Sequence, residues 1–186
     1  MTKDYTREHT RAPLRTYFLF DSGGHAHRAS LKNISVGGAL IGDLPFIPTD
    51  EEIFGILKLP NHKKILYGSL EELEQLVGED IDCQIFRVSI DNRRQLEQKR
   101  NGSDLFRSIG VRFLNALDLR DKAILEYVEA VTHNTVQLLR LLDSRVEEEN
   151  RVLRIKLYAR YLRENFLEDL SAFRNVIYQH YRSMQE

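Results

Sequence analysis

Several features that define other classes of protein are scarce or missing in this chain of 186 residues. A single cysteine, Cys83, excludes an intramolecular disulfide, and its strand-like surroundings favour a buried thiol. No run approaches the roughly 18 apolar residues of a membrane-spanning helix, so we expect no membrane insertion. The first residues lack the apolar core of a signal peptide, and a cytoplasmic location is expected by elimination.

An excess of charge of either sign is also missing, because the formal net charge is -1. A protein that binds nucleic acid over its whole surface carries a basic excess, so this class is disfavoured. No Ser/His/Asp set, phosphate-binding glycine loop, carboxylate pair or metal-ligand spacing stands out in the sequence. We therefore expect no enzyme activity, no metal and no cofactor, and the chemistry that is visible is ligand binding.

Glycine and proline are absent from residues 111–186, whereas all 10 Gly and 4 Pro occur at or before Gly110. The first part therefore contains short β-type runs between turns, which is typical of a small antiparallel barrel. These runs cover residues 14–20, 25–34, 38–41, 53–59, 64–67, 81–90 and 109–113. We expect the run 64–67 to pair back on 53–59 as a hairpin.

Two segments of the first part do not fit the strand pattern. Residues 69–77 have helical spacing and open with Ser69-x-x-Glu72, which predicts a short inserted helix. Residues 91–108 are polar and basic, and they are predicted to form a long mobile loop.

The second part is predicted to be helical. Apolar residues from Ile124 to Leu142 step by three and four, and a similar series runs from Leu162 to Tyr181. Ser144 and Glu147 form a potential capping box, so a hairpin of two helices is the first prediction and one long helix the second. The apolar stripe is wider than one small barrel can cover, so we expect a helix–helix or subunit interface and a homo-oligomer.

Two short motifs carry groups suited to an anionic ligand with flat rings. Arg7 and Arg11 stand four residues apart, and guanidinium groups both bind phosphate and stack on rings. The stretch Asn33-Ile34-Ser35-Val36-Gly37-Gly38 ends a predicted strand with compact polar side chains. Its two glycines allow positive φ and the close approach of a ligand to the backbone.

In this order the two motifs resemble the PilZ domain family, whose signature is R-x-x-x-R followed about twenty residues later by [D/N]-x-S-x-x-G. The stretch Ile109-Gly110-Val111-Arg112-Phe113 looks like the closing strand of that family, and residues 118–127 look like its terminal helix. The resemblance covers roughly residues 7 to 130.

The resemblance implies a mainly β plus α fold, with a six-stranded antiparallel PilZ-like barrel followed by long C-terminal helices. We expect residues 1–13 to form a flexible arm, 14–118 the barrel and 119–186 the helical extension. The implied ligand is cyclic di-GMP. The implied ligand-binding residues are Arg7, Arg11, Asn33, Ser35, Gly37 and Gly38.

Within that resemblance, each motif has an implied role. Arg7 and Arg11 would clasp phosphates and stack on guanine, Asn33 and Ser35 would bind a guanine edge, and Gly38 would leave room for it. Asn33 stands where Asp is commoner, and Thr6 stands where many members carry another Arg, which favours one nucleotide per domain.

Two functional classes follow from the sequence. The first is a cyclic di-GMP receptor or adaptor that rearranges its arm to regulate a protein partner of unknown identity. The second is a ligand-independent PilZ-like structural module that oligomerises through its C-terminal helices. An enzyme ranks last, because no catalytic set is found.

Overall fold

A closed barrel of six antiparallel strands forms the first part of the chain, as predicted. The computed structural model describes residues 9–78, 81–94, 100, 108–114, 117–144 and 150–185. The strands follow the order β1-β2-β3-β6-β5-β4 around the barrel. They are β1 (Ala12–Ser22), β2 (His25–Ser35), β3 (Gly38–Gly42), β4 (Glu52–Pro60), β5 (Cys83–Asp91) and β6 (Ser108–Phe113).

Short turns fix the register of the first three strands. Gly23 and Gly24 connect β1 to β2 with φ values of 63° and 76°, which L-residues with side chains rarely adopt. Val36 and Gly37 connect β2 to β3, so that Ser35 pairs with Gly38. Strand β1 also pairs with β4, and this pairing closes the barrel.

The barrel interior is filled by side chains that alternate along each strand with outward-facing residues. Buried interior residues include Phe18, Leu31, Ile34, Ala39, Ile41, Leu57, Val88, Ile90, Ile109 and Val111. Every strand contributes to this core, so the barrel is a packed unit without a lumen for a ligand. A ligand therefore has to bind outside the barrel interior.

Four helices accompany the barrel in the described part of the chain. They are α1 (Leu70–Gly78), α2 (Asp118–Asp143), α3 (Arg151–Tyr161) and α4 (Leu170–Gln185). The first half of α2 packs on the barrel, where Ile124, Val128 and Val131 join its core. None of the described helices combines the length and the apolar character required to cross a bilayer.

A second, smaller core lies between the helices. Leu138 on α2 contributes to it, together with Leu73 on α1, Ile155 on α3 and Phe173 on α4, and each is at most 1% exposed. Because α2 contributes to both cores, it connects the barrel to the helical part.

Helix α1 begins as predicted, since the Ser69 hydroxyl accepts a hydrogen bond from the Glu72 amide at 3.2 Å. The predicted strand 64–67 is wrong, because β4 pairs only with β1 and β5 among the described strands. The Glu72 carboxylate instead accepts hydrogen bonds from the amides of Leu66, Tyr67 and Gly68. These bonds turn the segment toward α1 and leave it no strand partner.

The C-terminal part was predicted to form a hairpin of two helices or one long helix. Both predictions are wrong, because three helices follow the barrel. Helix α3 ends at Tyr161 in a Schellman motif, in which Glu164 N–H donates to Ala159 O at 2.8 Å. Arg163 adopts the left-handed conformation of this motif, with φ 57°, a position usually occupied by glycine. The predicted helix start at Ser144 is also wrong, since Ser144 caps the end of α2 and α3 begins at Arg151.

The chain itself covers the apolar stripe that suggested a subunit interface. Ile124 and Leu138 on α2 and Phe173 on α4 are all fully buried in this single chain. The stripe therefore gives no reason to expect an oligomer.

Most of the predicted loop 91–108, including residues 95–99 and 101–107, lies outside the described residues.

Candidate ligand-binding site

The second motif lies on the outer side of β2, β3 and β6. Asn33 and Ser35 flank Ile34, which points into the core, so these two polar residues belong to the opposite face of β2. Cross-strand pairing continues this face from Ser35 to Gly38 and from Gly38 to Arg112. The structure thus brings these motif residues together on one surface.

Asn33 offers this surface a hydrogen-bond acceptor. Its Oδ1 atom is buried and has no partner among the described residues. A buried polar atom left unpaired costs about 1–3 kcal/mol, so a donor supplied by a ligand would recover stabilisation here.

Ser35 is only 4% exposed, and its hydroxyl donates to the Gly38 carbonyl at 3.3 Å. The hydroxyl therefore fastens the β2–β3 turn. Its lone pairs remain the groups that could accept a hydrogen bond from a ligand.

Neither Gly37 nor Gly38 has positive φ, which corrects one of the two reasons for expecting glycine there. Close approach is the actual reason. A Cβ atom added to Gly38 would lie 2.0 Å from the Val111 carbonyl oxygen of β6. A Cβ atom added to Gly37 would lie 3.0 Å from Cδ2 of His9.

The contact between Gly37 and His9 joins the two motifs, because His9 lies between Arg7 and Arg11 in the sequence. Strand pairing adds a second connection, since Ala12, directly after Arg11, pairs with Ile34. Arg7 lies outside the described residues. The described end of the R-x-x-x-R segment therefore lies beside the turn of the second motif.

Arg11 is half-buried, and its backbone amide donates a hydrogen bond to the Met184 carbonyl of α4 at 3.2 Å. Met184 is 3% exposed and belongs to the core of the barrel. The last turn of α4 is thus in contact with the segment that leads into the site.

Arg112 is a cation of this surface that the sequence motifs did not identify. Its side chain is 69% exposed and forms an ion pair with Asp91 at 3.1 Å. Hydrogen bonds from Arg93, and then from Arg112, hold the pKa of Asp91 at about 2. The alternation in Gly110-Val111-Arg112 indicates that Arg112 faces outward, although spacing alone could not show that its neighbour is Gly38.

Comparison with known proteins adds no assignment, because no protein-family profile matches the chain and no curated protein matches its sequence. The geometry itself combines the buried acceptor of Asn33, the exposed cation of Arg112 and a glycine-containing turn. Such a surface is suited to hold an anionic ligand that also carries N–H donors.

Proposed function

We propose that the protein is a receptor for cyclic di-GMP that regulates a protein partner. The observation that carries this proposal is the placement of His9 against Gly37, which brings the end of the R-x-x-x-R segment to the Asn33–Gly38 turn. The resemblance of both motifs to the PilZ family supports the choice of ligand.

In the proposed complex, Arg7 and Arg11 bind the phosphates and stack on the guanine rings. Asn33 Oδ1 accepts a hydrogen bond from a guanine N–H, which satisfies the unpaired acceptor. Arg112 adds positive charge at the edge of the surface.

The same proposal includes a route from the ligand to a partner. Ligand binding at Arg11 changes the segment around this residue, whose amide is hydrogen-bonded to the end of α4. A change in the arm therefore alters the equilibrium of α4 between two arrangements, and the partner binds one of them more tightly.

Isothermal titration calorimetry with cyclic di-GMP tests the proposal. We expect the wild type to bind one nucleotide per chain. Arg11→Ala should weaken binding roughly 10- to 100-fold, since a charge-assisted hydrogen bond contributes about 1.5–3 kcal/mol. Asn33→Ala should weaken binding, whereas Asn33→Asp should strengthen it because a carboxylate accepts two guanine N–H groups.

Arg28→Ala is the matched control. Arg28 lies on β2, and its guanidinium covers the exposed ring of Tyr17, away from Asn33. This variant should bind like the wild type. A wild type without detectable binding would refute the receptor and favour the ligand-independent PilZ-like module.

A further inference from the structure

A groove of about 780 Å³ lies on the outer side of β1, β4 and β5. The proposed nucleotide site involves β2, β3 and β6, whereas most of the strand residues that line the groove belong to β1, β4 and β5. Its volume falls within the range of roughly 300–1,000 Å³ that small-molecule sites occupy.

The surface of the groove is mainly apolar. Leu19, Phe54, Ile56 and Leu117 line it, and each is at least 40% exposed. Leu19 pairs directly with Ile56 across β1 and β4, so the apolar surface is continuous between the strands. A contiguous apolar surface of this kind is a common mark of a binding site.

One end of the groove contains a buried cation, Arg120, from the first turn of α2. Its side chain is 2% exposed, and its guanidinium lies over the Phe113 ring at 4.7 Å. Asp121 binds Nε and Nη2, whereas Nη1 is buried and has no hydrogen-bond partner among the described residues. A buried guanidinium with a free N–H is a strong donor for an anionic head group.

We propose that this groove, defined by Leu19, Phe54, Ile56, Leu117 and Arg120, binds an aliphatic carboxylate such as a fatty acid. The hydrocarbon chain packs on the apolar residues, and the carboxylate accepts a hydrogen bond from Arg120. Arg87 and Asp21 also line the groove, and Asp121 already pairs with Arg120, so recognition of the carboxylate rests on the hydrogen bond from Nη1 of Arg120.

The burial of Arg120 favours a small ligand over a protein surface. Arg120 lines the groove but Nη1 is covered, so a ligand reaches this atom only as a narrow head group that enters between the residues around it. The flat surface of a second protein would cover the exposed apolar residues and leave Nη1 without a partner.

Titration with dodecanoate below its micelle concentration, followed by calorimetry, tests the proposal. We expect 1:1 binding by the wild type and at least about tenfold weaker binding of dodecanol, which lacks the charge. Arg120→Gln should reduce the affinity for dodecanoate to that for dodecanol. Ile56→Trp fills the groove at an exposed position and should abolish binding even if Arg120→Gln fails to fold.

Arg140→Gln is the control, because Arg140 is an exposed arginine near the end of α2, outside the lining of the groove. It should bind dodecanoate like the wild type. Any of three results would overturn the proposal: no binding by the wild type, equal binding of dodecanol, or unchanged binding by Ile56→Trp. None of these results depends on whether cyclic di-GMP binds.

Discussion

Asn33 and Gly38 belong to the same motif, yet the fold uses them in different ways. Gly38 is required by the barrel, because β6 passes too close for any side chain. Asn33 is tolerated by the barrel with an unpaired Oδ1 atom, so its polar group remains available for function. A motif found in sequence therefore mixes residues that the fold requires with residues whose polar groups the fold leaves unpaired.

Gly38→Ala should destabilise the protein by about 3 kcal/mol or prevent folding, since its Cβ would collide with backbone that cannot move freely. Gly110→Ala is the matched control on the neighbouring strand, because a Cβ there meets nothing within 4 Å. Urea unfolding should show little change for Gly110→Ala. Equal stability of the two variants would contradict the packing role of Gly38.

At this scale, the sequence predicted the place of Asn33 and Ser35 at the end of a strand better than it predicted their surroundings. The position of the two residues could be predicted because the strand and turn signals are local. The contacts of Gly37 with His9 and of Gly38 with β6 depend on segments distant in sequence, and spacing contains no information about them.

Among the elements, the connection from β4 to α1 shows how helices can fix the conformation of a segment that has no secondary structure of its own. Asn134 of α2 is fully buried, and its side chain accepts from Ile65 N–H and donates to Lys63 O, both at 2.9 Å. Tyr161 of α3 accepts a further hydrogen bond from Lys63 N–H at 2.8 Å. The segment is thus hydrogen-bonded to two helices instead of a strand.

Asn134→Leu should lower the free energy of unfolding by about 1–3 kcal/mol, because it leaves the buried Ile65 amide unpaired and removes one of the two hydrogen bonds to the Lys63 carbonyl. Urea unfolding measures this loss. Gln137→Leu, on a half-buried position of the same helix, is the control and should change the free energy by less than about 0.5 kcal/mol. A loss of similar size in both variants would mean that the Asn134 hydrogen bonds are not its cause.

The elements that could be predicted from sequence are those with local signals. The six paired strands and the Ser69 helix start had alternation, turn residues or a cap. The break between α3 and α4 had none, because Leu162, Phe166 and Leu170 continue the helical spacing across a connection that is not helical. Arg163 takes the glycine position of the Schellman motif, and its side chain donates to Arg15 O, a partner visible only in the fold.

For the whole molecule, two histidines couple stability to pH in opposite directions. Burial lowers the pKa of His62 below 6.5. The contribution of neutral His62 to the free energy of unfolding is therefore present above pH 6.5 and is lost as the pH falls through the lowered pKa. The hydrogen bond to Glu164 raises the pKa of His180 above 6.5. Its contribution is complete below pH 6.5 and is lost as the pH rises through the raised value.

His62→Gln should reduce the loss of stability on acidification from about pH 7 to about pH 5, since glutamine does not titrate there. Free energies from urea unfolding at several pH values measure the slope. His25→Gln, at an exposed position of β2, should keep the slope of the wild type. A slope that His62→Gln leaves unchanged would exclude His62 as the source of the acid sensitivity.

The hydrogen bond from Arg11 to Met184 has a consequence for the order of folding. Contacts between residues so distant in sequence form late, because the chain loses the entropy of loop closure before the contact contributes any stabilisation. The barrel strands can pair before α4 has docked, whereas the amide of Arg11 forms its hydrogen bond to Met184 only after α4 has docked. In the proposed receptor, competence to bind at the arm would therefore mark a chain whose folding is complete, and a partly folded barrel would not respond to the ligand in the same way.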